Sequence, residues 1–213
     1  MHNAIGQFSR LRLAIAPGVP SSKLSALLAL QRAEEPDVTL AFFEVSDDDL
    51  REGLHESRYD AGLSVQGSSD AALKIQPLWI EEMAVAVAPR FPLLDQATLT
   101  IADLLDYSLY RWQAEICSKL DERLSNLLPT GRQNIQYVTS FGLLATWVAA
   151  GYGVGVSSQS RIAHAHRWGI TMRPLIDGPY EIVTHLQRPK EETSSVVDRF
   201  ERRALQVART GAA

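Results

Sequence analysis

Cysteine is almost absent from this chain: Cys117 stands alone, so no disulfide can form within it, which fits a reducing cytoplasm. Basic charge is also scarce. Lys and Arg number 21 against 25 Asp and Glu, a formal net charge of -4, so no surplus of cations exists to neutralise a run of phosphates, and the chain by itself is not expected to grip DNA. No apolar run approaches the roughly 20 residues of a membrane helix. Met1 to Arg10 lacks the basic start, apolar centre and small-residue cleavage site of a signal peptide, so export is not expected and residues 1–10 read as a linker or chain end. Low-complexity stretches and repeats of about 20 to 50 residues are missing as well.

What is present is an ordinary core-forming composition. Across 213 residues, 46% are hydrophobic and 22% charged, enough for one large domain or two small lobes. Leu11, Leu13 and Ile15 alternate with Arg12, Ala14 and Ala16, the period of a short strand. Pro17-Gly18-Val19-Pro20 breaks it, and Ser21 or Ser22 is then placed to cap a helix whose Leu24, Leu27 and Leu28 share a face. Pro36 stops that helix. Val38, Leu40 and Phe42 begin a second strand, Ser46 or Asp47 caps a second helix with Leu50 and Leu54 on one side, and residues 59–65 give a third strand. Two consecutive β-α-β units predict a parallel sheet with right-handed crossovers.

From Leu73 the pattern changes, because Leu73, Ile75, Leu78, Ile80, Met83, Val85 and Val87 read as extended chain with no helix among them. This predicts a crossover into a second lobe. There, helices over 100–105, 116–127, 141–150 and 158–166 alternate with strands over 107–111, 134–138, 153–157 and 170–175, and Pro129-Thr130-Gly131 ends the second helix. Residues 174–179 return the chain, 181–186 give one more strand, and a last helix over 194–209 sets Val197, Phe200, Ala204 and Val207 on one face. The predicted class is α/β, two Rossmann-like lobes joined by two crossover strands. Lobe I takes 11–80 and 178–213, and lobe II takes 81–177.

From Leu11 to about Leu205 the chain resembles the effector-binding domain of LysR-type transcriptional regulators, itself similar to type II periplasmic binding proteins. The order of features carries the match: Ala16-Pro17-Gly18-Val19-Pro20-Ser21-Ser22, Pro36-Asp37-Val38-Thr39-Leu40, Tyr59-Asp60-Ala61-Gly62-Leu63, Ala84 to Leu93, Val148 to Val156, and Val197-Asp198-Arg199-Phe200. Two departures stand out. Ser57-Arg58-Tyr59 occupies a turn where the family usually has glycine, and Ser157-Ser158 stands where a proline is common. The winged helix-turn-helix of a complete regulator is also missing.

The resemblance implies a small effector held between lobes, at the carboxyl ends of strands where helix amino termini present free N–H groups. Candidate contacts are Gly18, Ser21 and Ser22 before the first helix, Gln66 after the third strand, and Thr139, Ser140 and Phe141 at a second-lobe helix start. The same hydroxyls can be simple N-caps worth about 1 kcal/mol each. Arg111 and Trp112 form a further candidate wall: Arg111 either pairs with a ligand acid or with Glu115, and Trp112 either covers a ligand ring or plugs the gap. The family pairs these domains antiparallel, which makes Leu30 and Ile162 candidates for a dimer surface.

Other motifs read as structure. Gly151-Tyr152-Gly153-Val154-Gly155 follows a helix and opens a strand, the reverse of a phosphate loop, so Gly151 is a helix C-cap. His164 and His166 do not share a helix face, and Asp47-Asp48-Asp49 is a charged helix start, so neither predicts a metal. No cofactor is expected. The implied function is a cytoplasmic ligand-sensing domain, working as a homodimer or tetramer and reaching DNA only through the missing module. The alternative is the solute receptor of a transporter, and an enzyme using a serine or Cys117 is disfavoured because none of the five histidines lies in a segment expected to face the cleft.

Overall fold

The computed structural model describes residues 9–127, 134–191 and 194–210. In chain order its elements are β1 (Arg10–Ile15), α1 (Ser21–Glu34), β2 (Thr39–Glu44), α2 (Asp47–His55), β3 (Ala61–Ser64), β4 (Leu73–Val87), α3 (Ile101–Leu104), β5 (Leu109–Trp112), α4 (Ser118–Leu127), β6 (Ile135–Val138), α5 (Phe141–Ala149), β7 (Val154–Ser158), α6 (Gln159–His164), β8 (Thr171–Pro174), β9 (Glu181–Pro189) and α7 (Ser195–Thr210). Two compact units result, one from the residues up to Trp79 together with those from Val183 on, the other from Ile80–Ile182. Both changes of unit fall inside strands, β4 and β9.

In the first unit β1 pairs in parallel with β2 on one side and β3 on the other, and β9 runs antiparallel to β3. Parallel pairing follows from the helical crossovers α1 and α2, which return the chain to the same sheet edge before each new strand. Leu11 and Leu13, both 0% exposed, point from β1 into a core shared with Leu27 of α1, Leu63, Leu186 and Phe200 of α7. On the other face Ala14 packs with Leu50, Leu54 and Tyr59 under α2. Each buried Leu or Phe among them contributes about 1.5–3 kcal/mol by leaving water. Charge also ties the two helices, since Arg203 reaches Glu34 at 2.7 Å and Gln31 at 3.0 Å, and Arg199 pairs with Glu35.

In the second unit β5 lies between β6 and β7, parallel to both, while β4 runs antiparallel to β7 and β8. One face is covered by α5 and α6 through Tyr110, Phe141, Leu144, Val148 and Ile162. Gly155 permits this close approach. A Cβ there would lie 2.5 Å from Leu144 Cδ2. The C-cap of α5 is Ala150, one residue before the glycine the sequence predicts, and Gly151 beyond it makes the left-handed turn with φ of 82°.

Several expectations need correction. Neither Ser21 nor Ser22 caps α1; Pro20 holds the cap position with φ of -65° and ψ of 120°, and Ser21 is already the first helical residue. The fixed proline φ suits that extended cap, so the helix begins without a side-chain acceptor. Residues 158–166 divide into the short α6 and a 3-10 turn from His166 to Trp168, and β9 runs on past Leu186 to Pro189. Leu30, a candidate for the dimer surface, is half-buried against the first unit's core. Ile162 is 1% exposed among Tyr110, Phe141 and Leu144, so its own side chain offers no surface to a partner. The Pro129-Thr130-Gly131 helix end lies outside the described residues.

Candidate functional site

Each unit presents the carboxyl ends of its parallel strands as an edge, and the predicted contacts collect there. In the first unit β1 is followed by Ala16, whose N–H donates to the Leu63 carbonyl at 2.9 Å, and Gly18 turns the chain with φ of 94° toward the exposed Ser21 and Ser22. Gln66 follows β3. Its N–H donates to the Ser64 hydroxyl at 2.9 Å and its carbonyl accepts from Gln187 at 3.0 Å, so the backbone here is pinned. The Ser64 hydroxyl in turn donates to Asp47, the first residue of α2. Burial pushes the Asp47 carboxyl above its ordinary range, against the pull of that hydroxyl.

Across the β3 and β9 ladder, His185 sits opposite Ser64. Burial holds its imidazole below the usual histidine value, which keeps it neutral at pH 7. The sequence alone predicts no histidine, His185 included, at this edge. Only the antiparallel register of β9 brings it to the edge, and local periodicity carries no sign of that register.

In the second unit Arg111, Trp112, Thr139, Ser140 and Phe141 come together at the ends of β5 and β6 and the start of α5. The Trp112 indole N–H donates to the Thr139 carbonyl at 3.0 Å, and the Ser140 hydroxyl caps α5 by accepting from the Leu143 N–H at 3.2 Å. Thr139 is exposed and Phe141 is buried. The positive end of α5 therefore opens beside the exposed Thr139 and the indole bonded to its carbonyl.

The arginines of this region are matched internally. Arg111, only 2% exposed, pairs with Asp121 rather than Glu115 and donates to the Glu115 carbonyl at 3.3 Å. The Glu115 side chain, 1% exposed, pairs instead with Arg161 at 3.0 Å and accepts from the Ser158 N–H at 3.3 Å. Arg161 lies 4.6 Å over the Trp112 ring and 5.7 Å from that of Phe141. Two cations and two carboxylates cancel, so what this edge offers an acid is helix N–H groups and hydroxyls. Cys117 is buried nearby, and burial pushes its thiol up, away from reactivity. Among the described residues no group of three or more His, Cys, Asp or Glu is placed to hold a metal.

The sequence matches the model of the LysR substrate binding domain over residues 6–209. This chain belongs to that family. Solved structures of LysR-type proteins share its fold. The full-length BenM E226K mutant superposes with a TM-score of 0.84 at 22% identity, covering 95% of this chain and 68% of that one. The BenM effector binding domain with its effector benzoate gives 0.81 at 21%, covering 96% and 95%. The effector binding domain of QuiR in complex with shikimate gives 0.78 at 17%, covering 95% and 98%. LysR membership supports a regulatory ligand-sensing role and gives no support to the transport-receptor alternative. No helix among the described residues is long and apolar enough to cross a membrane.

Proposed function

We propose that this LysR-type domain senses a small organic acid in the cytoplasm and passes the signal through a homodimer or tetramer to a winged helix-turn-helix module that contacts DNA. The observation that carries the reading is the edge of the second unit, where α5 opens beside Thr139 and Trp112 while Arg111 and Arg161 already have carboxylate partners. The ligand acid is then recognised by helix N–H groups and hydroxyls in a site of balanced charge. Benzoate in BenM and shikimate in QuiR are both carboxylic acids, which agrees with this class. The proposed contacts are Trp112, Thr139, Ser140 and Phe141 in the second unit and Gly18, Ser21, Ser22 and Gln66 in the first. Arg111 is assigned a supporting role beneath them. Binding without catalysis is the proposed activity, with no cofactor. For assembly, α1 of one protomer is proposed to pack on α6 of its partner, with Leu30 at the margin.

A thermal-unfolding screen with organic acids, aromatic acids and amino acids tests the reading. A binder at 100 times its dissociation constant adds about 2.7 kcal/mol to stability. Thr139→Val and Ser21→Ala should each shrink the shift. A shift that persists undiminished in both variants would sink the site assignment.

A further inference from the structure

A cavity of about 430 Å³ opens in the first unit, inside the range of about 300–1,000 Å³ typical of small-molecule pockets. Among the segments that converge on it are Arg12 early in β1, residues 57–60 ahead of β3, Leu73 at the head of β4, and Arg188 to Lys190 where β9 ends. Because β1 and β3 are parallel and β9 runs against β3, these segments share one sheet edge, the one remote from Gly18 and Gln66. The proposed effector contacts therefore take no part in it.

The floor of the cavity is apolar, made by Leu54, Leu73 and Val197 at 1%, 2% and 5% exposure. Its frame is stiff. Arg12 forks onto Asp60 at 2.6 and 3.2 Å and donates to the Ser57 carbonyl at 2.6 Å, while Arg188 is held by Glu201 at 2.8 Å and Asp198 at 3.2 Å. His55 on the rim pairs with Asp70 at 2.6 Å. Once these pairs are set aside, the lining retains one ammonium, Lys190, and one carboxylate, Glu191, both exposed and with no side-chain partner among the described residues. A dry floor under a rim of both signs suits a molecule with one apolar part and both charges.

The lip adds a second observation. Ser57 lines the cavity with φ of 56°, a left-handed conformation that glycine adopts at no steric cost and that costs other residues about 1–2 kcal/mol. A non-glycine residue stands at that lip at a local conformational cost, as happens where a conformation serves a site.

We propose that this cavity is a second ligand site, distinct from the effector edge, taking a small zwitterion with an apolar side chain such as free leucine or phenylalanine. The carboxylate faces Lys190, the ammonium faces Glu191, and the side chain rests on Leu54, Leu73 and Val197.

The test is a titration of the ¹⁵N-labelled 213-residue chain with L-leucine and L-phenylalanine up to about 10 mM, where even a millimolar site fills. Saturable shifts of the Leu54, Ser57, Leu73 and Lys190 amides are expected. Leucinamide and N-acetyl-leucine, each lacking one charge, should bind at least about tenfold more weakly, as should leucine to Lys190→Glu. Ala72→Trp, at an exposed position on the lining, should fill the cavity and abolish the shifts, and Thr139→Val should leave them intact. The proposal is overturned by the absence of saturable shifts at those amides, by shifts confined to 139–143, by equal binding of the single-charge analogues, or by shifts that survive both Lys190→Glu and Ala72→Trp.

Discussion

The Trp112 indole nitrogen lies 3.0 Å from the main-chain carbonyl oxygen of Thr139, so the end of β5 is latched to the residue that precedes the cap of α5. The latch fixes the ring over which Arg161 sits and the approach to the helix N–H groups in one step.

Trp112→Phe keeps an apolar ring and removes the donor. The hydrogen bond is on the exposed side of the unit, so stability should fall by only about 0.5–1 kcal/mol. Affinity for an organic acid should drop further, by about tenfold, because the Thr139 and Ser140 segment loses its fixed position. Calorimetric titration beside urea unfolding separates the two effects. Equal losses in stability and in binding free energy would remove the positioning role.

Stability should decline in two stages as pH falls. Burial would raise the Glu201 carboxyl, yet Lys74 at 2.6 Å and the charge of Arg188 outweigh it and hold the group below the ordinary carboxylate range. Glu35 is held low in the same manner, against its own burial, by Arg199, Gln31 and Arg203. A depressed folded-state pKa gives stability that is complete above the unfolded value, about 4.3 for glutamate, and is lost as pH falls through the folded value. His185, depressed by burial, follows the same sign with its loss starting near pH 6.5, since the unfolded chain takes up the proton first. Urea titrations from pH 8 to pH 3 should show both stages. His185→Gln should remove the upper stage and Glu201→Gln should reduce the lower.

Much of this fold is legible from periodicity, because alternation at Leu11 and Leu13 and the helical spacing of Val197, Phe200 and Ala204 record burial directly, and these residues do form the first unit's core. The predicted β-α order holds for the same reason. The site is less legible. Arg111 has Glu115 four residues away, yet it pairs with Asp121, while Glu115 goes to Arg161 across 46 residues of sequence. Such pairings depend on which strand ends meet, and nothing local encodes that. Pro20 displaces Ser21 as the cap of α1 because the proline backbone already has the required shape, a choice two adjacent serines concealed. Ile162 belongs to a helix of six residues, too short for a pattern to separate its inner face from its outer one.

Two left-handed residues should respond in opposite directions to substitution. Gly151, at φ of 82°, has no heavy atom within 4 Å of a built Cβ, so Gly151→Ala meets no clash and should cost about 1 kcal/mol from backbone strain alone. Ser57→Gly relieves strain at φ of 56° but adds freedom to the unfolded chain, for a net gain of about 0.5 kcal/mol. Paired unfolding curves check the signs. A destabilised Ser57→Gly would mean that the serine side chain makes a contact worth more than its strain.

Glu115 gives the test in which stability and binding should separate. Its side chain is 1% exposed and supplies the countercharge for Arg161, which stacks at 4.6 Å on the candidate wall Trp112. Glu115→Gln preserves shape and an acceptor for the Ser158 N–H but removes the carboxylate charge that Arg161 faces at 3.0 Å. Arg161 is 17% exposed, so loss of this largely buried charge pair should cost about 1–3 kcal/mol of folding stability. The same change leaves one net positive charge at the edge where α5 already points its positive end, in surroundings of lower dielectric than water. A carboxylate ligand should therefore bind more tightly, by about three- to tenfold, with the gain shrinking as salt is raised. Calorimetric titration of an organic acid found by the thermal-unfolding screen, and of its uncharged amide, into both proteins distinguishes the causes. Tighter binding of the acid with the amide unchanged supports an effector edge of balanced charge, whereas weaker binding of both would show that Glu115 serves the site through packing rather than through its charge.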